Sequence, residues 1–383
     1  MFRFLLLLFC MASCISKNKT QQLNHPQNIY LEEESNLYLP FQFEIDPMQR
    51  LLLVNFEKDP DEEYIGLEPQ YFDDESNGQG LLVIAWRKDM RVEVYHEATL
   101  QPDPNKYDIA GKGLASMHQV DFDQSEFEIN GTGVLARIGF RDKNDRKIQI
   151  QIEENHPKKR APFGLLAPMG DAASNPSAMP LVLLHDFYFV RKNHTHLEVS
   201  INGKNHQADK LPLPLDGTWM YFARYSPDPF IVTFNPAASA VLKPEKLDNR
   251  HLTWDFNGKG KEIKSLIAEG DGHQVSLSFD PPFPQFNLIK PGLEVKGSFV
   301  IAGEKSTGII KGTYTVSTKG EGVRILFHPN GGWIPNEKKI SIRLLYAMAG
   351  IFKNWPKTYL WTAMLHQEEN HWRMISSWER LKK

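Results

Sequence analysis

Polar side chains interrupt an apolar segment that has the composition of a buried strand. His185, Asp186 and Tyr188 lie in this segment, and neighbouring side chains on a strand point to opposite faces. One of the two faces must be buried, so either His185 or Asp186 is expected to point inward. A buried carboxylate requires a partner, and Arg224 or Tyr225 could supply it. This interaction either stabilises the fold or anchors a ligand in an apolar pocket.

These residues and their aromatic neighbours are the predicted site. The predicted ligand-binding residues are Asp186, Tyr188, Trp219, Tyr221, Arg224 and Tyr225. If the protein is an enzyme, the candidates for general acid–base catalysis are His185, Asp186 and Tyr188, with a pKa raised by burial.

Other site chemistries have less support. His194 and His196 are two residues apart and could share one strand face, with His206 or Asp209 as a third ligand. They lie beside a turn and belong to no established ligand motif, so we predict no metal and no cofactor. Phosphate-loop and serine-hydrolase motifs do not occur. Carboxylate pairs and tryptophans leave open the binding or hydrolysis of sugars.

The composition limits the class of protein that could carry such a site. The 383 residues are 41% hydrophobic and 24% charged, which is typical of globular domains rather than of disordered chains or polytopic membrane proteins. A net charge of −3 gives no global field that would attract nucleic acid, and we predict no nucleic-acid partner.

The segments that must position the site are short, β-rich and separated by turns. Asn202-Gly203 and Asn257-Gly258 favour tight hairpins, and residues 142–145 predict another. Helical periodicity is nearly absent, apart from a possible helix over residues 340–352. The chain is therefore predicted to be all-β, with two consecutive antiparallel β-barrel or sandwich domains, 29–243 and 244–383.

The N-terminus predicts export. One positive charge and a short apolar run precede Met11-Ala12-Ser13-Cys14, which resembles the cleavage box of bacterial lipoproteins. The resemblance implies removal of residues 1–13 and lipidation of Cys14. Residues 14–28 would then form a flexible tether that places the protein in the cell envelope, anchored through membrane lipid.

A second resemblance concerns layout. Asp186–Val190, the Gly203 turn and Asp216-Gly217-Thr218-Trp219 resemble the segment that crosses between barrels in lipocalin-like double-barrel proteins of the hydroxyneurosporene synthase (carotenoid hydratase) group. This implies two lipocalin-like barrels. Residues 219–222 read Trp-Met-Tyr-Phe instead of containing that group's Asp/His pair, so hydratase chemistry does not follow from the layout.

Three hypotheses remain open on the sequence. The leading one is a lipoprotein that binds an apolar or amphiphilic small molecule in a β-barrel cavity. The second is a lipid or polyene hydratase or isomerase on the same scaffold. The third is a non-catalytic assembly protein of the envelope, with a protein partner on its exposed aromatic surface.

Overall fold

The computed structural model describes residues 25–381 except 34, 47, 168–174, 213, 216, 321, 349–351, 353 and 370. The predicted signal peptide, Cys14, most of the predicted tether and Asp216 lie outside the described residues. Strands dominate the described part of the chain, so the predicted all-β class is confirmed. Within that part, none of the helices combines the length and hydrophobicity needed to cross a membrane.

The strands form three sheets. The first fifteen strands are β1 (Phe43–Asp46), β2 (Arg50–Asn55), β3 (Tyr64–Asp74), β4 (Gly78–Arg87), β5 (Val92–His96), β6 (Leu114–Gln119), β7 (Phe122–Ile129), β8 (Val134–Arg141), β9 (Lys147–Glu154), β10 (Phe163–Ala167), β11 (Met179–Arg191), β12 (Thr195–Ile201), β13 (Lys204–His206), β14 (Met220–Ser226) and β15 (Pro229–Phe234). The remaining strands are β16 (Ala238–Leu242), β17 (Leu252–Asn257), β18 (Gly260–Gly270), β19 (His273–Phe283), β20 (Glu294–Ala302), β21 (Ile309–Lys319), β22 (Gly322–Ile334), β23 (Tyr359–Glu368) and β24 (His371–Arg380). Among the described residues, the α-helices with assigned bounds are α1 (Pro104–Tyr107) and α2 (Ile340–Met348).

Long, interrupted strands organise the ten-stranded sheet. Tyr188 of β11 lies opposite Tyr225 of β14, and Leu184 lies opposite Pro229 of β15, so the two pairings share one register as far as Phe189. The register with β14 shifts between Phe189 and Arg191. β1 and β2 continue this arrangement, pairing with β15 and β14 respectively. Pro227 is one reason for the gap between β14 and β15, because a proline has no N–H to donate to the ladder.

The five-stranded sheet packs against one part of the ten-stranded sheet. Its order is β13-β12-β9-β8-β7, and its apolar side chains meet those of β2 to β4 in a buried core. Leu52, Val83, Ile138, Ile150 and Val199 belong to that core, and each is fully enclosed. The expectation of purely antiparallel pairing is wrong at one place, since β5 and β6 run parallel.

The nine-stranded sheet is an antiparallel meander that packs against another part of the ten-stranded sheet. Its order is β16-β24-β23-β22-β21-β20-β19-β18-β17. Phe299, Phe327 and Trp361 from this sheet share a core with Leu183 of β11 and Phe234 of β15. The long strands of the ten-stranded sheet therefore contribute side chains to both cores.

The N-terminal segment (residues 25–46) crosses the nine-stranded sheet before it becomes β1. His25 is buried, with Nε2 3.1 Å from the Tyr314 hydroxyl, and Tyr30 donates a hydrogen bond of 2.6 Å to Glu262. Phe41 is buried among aromatic rings of that sheet. The described chain is thus held by contacts from His25 onward, so residues 25–28 of the predicted tether pack against the fold.

Candidate functional site

A cavity of about 370 Å³ opens where β11 ends and β14 begins. Its lining residues are His156, Lys158, Lys159, Arg160, Ala161, Phe163, Tyr188, Phe189, Arg191, Thr218, Met220 and Lys339. Five of these side chains are lysines or arginines, and Phe163, Phe189 and Met220 supply an apolar surface. The volume lies within the range of small-molecule sites, and the lining is more cationic than is usual for them.

One buried carboxylate organises the two arginines. Nε of Arg191 donates to Oε1 of Glu154 at 2.9 Å, and Arg160 contacts Oε2 of the same group at 3.4 Å. The Tyr225 hydroxyl also donates to Glu154, at 2.9 Å. The Glu154 side chain is fully enclosed. Two guanidinium groups thus share a single carboxylate, which leaves positive charge in the lining.

Arg191 holds the loop that carries the basic residues Lys158, Lys159 and Arg160. Its Nη1 donates to Nδ1 of His156 at 3.0 Å and to the Lys158 carbonyl at 2.8 Å, and its Nη2 donates to the Thr132 carbonyl at 2.9 Å. Because His156 accepts through Nδ1, its imidazole is neutral with the proton on Nε2. Desolvation and the adjacent Arg191 charge lower the pKa of His156, which favours this neutral form.

One N–H donor of Arg160 remains without a hydrogen-bond partner among the described residues. Its guanidinium lies over the rings of Tyr188 and Tyr225, 4.5 and 4.6 Å from their centroids, and Nη2 donates to the Asn130 carbonyl at 2.8 Å. Its Nε is buried and has no hydrogen-bond partner among the described residues. Burial lowers the pKa of Arg160, opposed by Glu154. A buried donor left unpaired at a cavity wall favours an anionic or polar ligand group.

The structure brings some of the predicted ligand residues to this cavity. Tyr188 lines it, and Tyr225 packs against Tyr188 with ring centroids 5.6 Å apart. Trp219 lies between two lining residues in sequence and is 54% exposed. Tyr221 is half-buried in the core shared with the five-stranded sheet.

The predicted partnership of Asp186 with Arg224 or Tyr225 is wrong. Asp186 accepts instead from the Tyr188 hydroxyl at 3.5 Å. Arg224 lies opposite Phe189 in the ladder, so it occupies the other face of the sheet from Asp186.

Arg224 takes part in a separate polar cluster. Its Nη1 donates to Oδ1 of Asn55 at 2.6 Å, and its guanidinium lies over the Phe222 ring at 4.4 Å. Burial lowers the pKa of Arg224 to about 10, against the attraction of Glu68 and Glu57. Arg224 is not among the residues that line the cavity.

The three candidate catalytic residues do not converge on one another. His185 and Asp186 are neighbours on β11 and point to opposite faces, and His185 lies 3.2 Å from Asp228. Burial and the nearby Asp186 raise the pKa of Tyr188, which disfavours the ionised phenolate. These residues therefore form two separate groups, only one of which borders the cavity.

Sequence reasoning missed the charged half of the site. Glu154 ends strand β9, Arg160 lies on the loop that follows β9, and Arg191 ends β11. The basic run from Lys158 to Arg160 is the sequence signal that could have revealed it. Lys339 has no comparable signal, because it reaches the site from a segment almost 180 residues further along the chain.

Comparison with protein-family models, with curated proteins and with solved structures finds no match for this chain. The functional argument therefore rests on the geometry of the site.

Proposed function

We propose that the protein binds an anionic amphiphilic small molecule in this cavity, while a lipid on Cys14 holds it at a membrane surface of the cell envelope. The observation that carries the binding proposal is the excess of cationic side chains around an apolar wall. Arg160 and Arg191 share the single carboxylate of Glu154, so the cationic charge of the lining is only partly neutralised. A ligand with a negative head and an apolar body complements both parts of the lining.

The lining suggests how such a ligand lies. Its carboxylate or phosphate group meets Arg160 and the two exposed lysines, Lys158 and Lys159. Its apolar body packs on Phe163 and Phe189. This orientation of the ligand follows from charge and from burial, because the lysines are exposed and both phenylalanines are buried.

An apolar stripe beside the cavity supports the membrane setting. Helix α2 begins next to Lys339, and its residues Ile340, Leu344 and Met348 follow one another at four-residue spacing. All three are exposed, at 81%, 50% and 53%. An exposed apolar helix face near a basic surface is typical of helices that lie on anionic bilayers.

Calorimetric titration with dodecanoate tests the binding proposal, with dodecanol as the uncharged comparison. We expect saturable binding of the anion, and weakening by tenfold or more in the Lys158→Glu/Lys159→Glu variant because two favourable charges become repulsive. The matched control Lys296→Glu/Lys311→Glu makes the same charge change at exposed lysines of the nine-stranded sheet and should bind normally. Equal affinity for the alcohol, or equal weakening in both variants, would refute an anion site at this cavity.

Replacement of Cys14 tests the anchor independently. In the bacterial envelope, we expect the parent protein in the membrane fraction and Cys14→Ala in the soluble or unprocessed fraction, because the acyl chains supply the membrane affinity. Intact mass measurement of the parent should show the added lipid. A parent protein without that mass would end the anchor proposal and leave the cavity proposal standing.

A further inference from the structure

A group of metal-ligating side chains lies apart from the cavity, at the junction of the two larger sheets. Nε2 of His185 is 3.2 Å from Oδ2 of Asp228, and Nε2 of His273 is 3.0 Å from the same oxygen. The two imidazole centroids are 4.2 Å apart. One ligand atom from each of the three residues lies within 4.8 Å of the other two.

The local fold explains why these residues meet. Asp228 stands between two prolines in the gap between β14 and β15, and the shared register places His185 across from that gap. His273 begins β19 directly after the turn at Asp271, whose φ is 51°. The group thus draws on the ten-stranded sheet and on the nine-stranded sheet.

The spacing suits a tetrahedral ion. Zinc binds imidazole nitrogen and carboxylate oxygen at about 2.0–2.2 Å, so its ligand atoms lie about 3.3 Å from one another. The two nitrogen–oxygen separations of 3.2 and 3.0 Å are close to this value. Two neutral imidazoles and one carboxylate also form a donor set that Zn²⁺ and related ions prefer over Ca²⁺ or Mg²⁺.

An outer carboxylate is placed as in known imidazole–metal sites. Nδ1 of His273 lies 3.5 Å from Oε1 of Glu304, so the ring nitrogen away from the cluster faces an acid. Carboxylates in this position fix the tautomer and orientation of metal-binding histidines. Nδ1 of His185 is buried and has no hydrogen-bond partner among the described residues, so no hydrogen bond at Nδ1 competes with metal binding through Nε2.

A second cavity gives an ion access to the group. It has a volume of about 450 Å³, and Asp46, Asp228, Asp271 and His273 are among its lining residues. Lys106 neutralises Asp46 at 2.6 Å, which leaves two carboxylates to attract a cation. The Asp228 side chain is 52% exposed, so the remaining coordination position is open to water or to a small ligand.

We propose that His185, Asp228 and His273 bind one divalent transition-metal ion, with Zn²⁺ as the expected ion, and that Glu304 orients His273. Elsewhere in the described part of the chain, no other trio of His, Cys, Asp or Glu side chains converges in this way. The ion would join the ten-stranded sheet to the nine-stranded sheet. The sequence prediction of no metal overlooked this site because its ligands are distant along the chain.

The test uses the purified chain after treatment with EDTA and dialysis. Calorimetric titration with Zn²⁺ is expected to show one site per chain, Co²⁺ is expected to give the visible bands of a four-coordinate ion, and Zn²⁺ should raise the midpoint of thermal unfolding. His273→Gln and Asp228→Asn should weaken binding by at least about 100-fold, and Glu304→Gln by about 10- to 100-fold.

His196→Gln is the matched control, because His196 is 62% exposed on β12 and belongs to the histidine pair that the sequence singled out. It should bind Zn²⁺ as the parent does. Asp228→Asn keeps the test decisive if His273→Gln does not fold, since Asp228 lies at the surface. Absence of stoichiometric binding in the parent, or parent-like binding in Asp228→Asn, would overturn the proposal.

Discussion

At the scale of single residues, buried charge determines much of how this protein should respond to acid. Glu93 of β5 has no exposed surface. Its carboxylate contacts two hydroxyls and two cations, those of Tyr64, Tyr95, Arg87 and Lys143. Burial alone would raise the pKa of Glu93, but these hydrogen bonds outweigh it and lower the pKa to about 2.

Glu93→Gln should therefore destabilise the protein in a pH-dependent way. A depressed pKa contributes stability that is fully present above the ordinary value of 4.5 and is lost as the pH falls through about 2. We expect a loss of about 3 kcal/mol in the free energy of unfolding at pH 7, because the variant leaves two cations without their buried partner. Urea denaturation of parent and variant between pH 7 and pH 2 should show the difference shrinking below pH 4.5.

The control for this measurement is Glu126→Gln. Glu126 also binds an arginine, Arg137, at 2.7 Å, but both side chains are more than two-fifths exposed. Its loss should change the free energy of unfolding by less than about 1 kcal/mol at every pH. A Glu93→Gln difference that stayed constant from pH 7 to pH 2 would show that folding does not lower the pKa of Glu93.

At the scale of elements, the N-terminal segment is as important as any strand. Phe41 makes ring contacts with five aromatic residues, Phe234, Phe279, Phe283, Phe327 and Trp361, at centroid distances between 4.9 and 6.3 Å. Four of these belong to the nine-stranded sheet. The segment therefore fills the core of a sheet whose own strands begin about 200 residues later.

Phe41→Ala should lower the free energy of unfolding by about 3–5 kcal/mol, since it empties a close-packed aromatic site. Phe256→Ala is the matched control, because Phe256 is 67% exposed and its truncation should change stability by about 0.5 kcal/mol or less. Urea denaturation of both variants at one pH compares them directly. Similar losses in the two variants would show that the N-terminal segment does not contribute to the core.

The elements also show which sequence signals were sufficient. The Asn202-Gly203 turn was predicted correctly because both residues adopt positive φ, 51° and 79°, between paired strands β12 and β13. Helix α2 lies within the stretch predicted as helical. β1 and β10 were not predicted, because short strands acquire their definition from distant partners rather than from their own residues.

At the scale of the whole molecule, the predicted boundary at residue 244 remains a prediction, but the contacts suggest how to test it. Strand β16 lies before the boundary and pairs with β24 at the end of the chain. Phe41 and Tyr30 also cross from the first part to the second. We expect a fragment of residues 244–383 to lack a cooperative thermal transition, whereas residues 25–383 should unfold cooperatively. A fragment with a sharp, native-like transition would establish the second part as an independent domain.

Contacts between strands that are distant in sequence decide which residues of the site could be predicted. Tyr188 and Tyr225 were identified because polar groups in apolar strands need partners. Glu154, which accepts a hydrogen bond from Tyr225, was missed because sequence alone does not show that β9 ends near β11. Face alternation explains why Arg224 was assigned to the wrong group, since a shift of one residue in register moves a side chain across the sheet.

The path of the N-terminal segment has a mechanical consequence. A force applied to the chain at His25 would load its contacts in sequence: the Tyr314 contact first, the Tyr30–Glu262 bond next and the Phe41 cluster last. Contacts that break one after another resist tension less than contacts that share it. A protein pulled from this end should therefore release its N-terminal segment, and open the core beneath the nine-stranded sheet, while the five-stranded sheet is still folded.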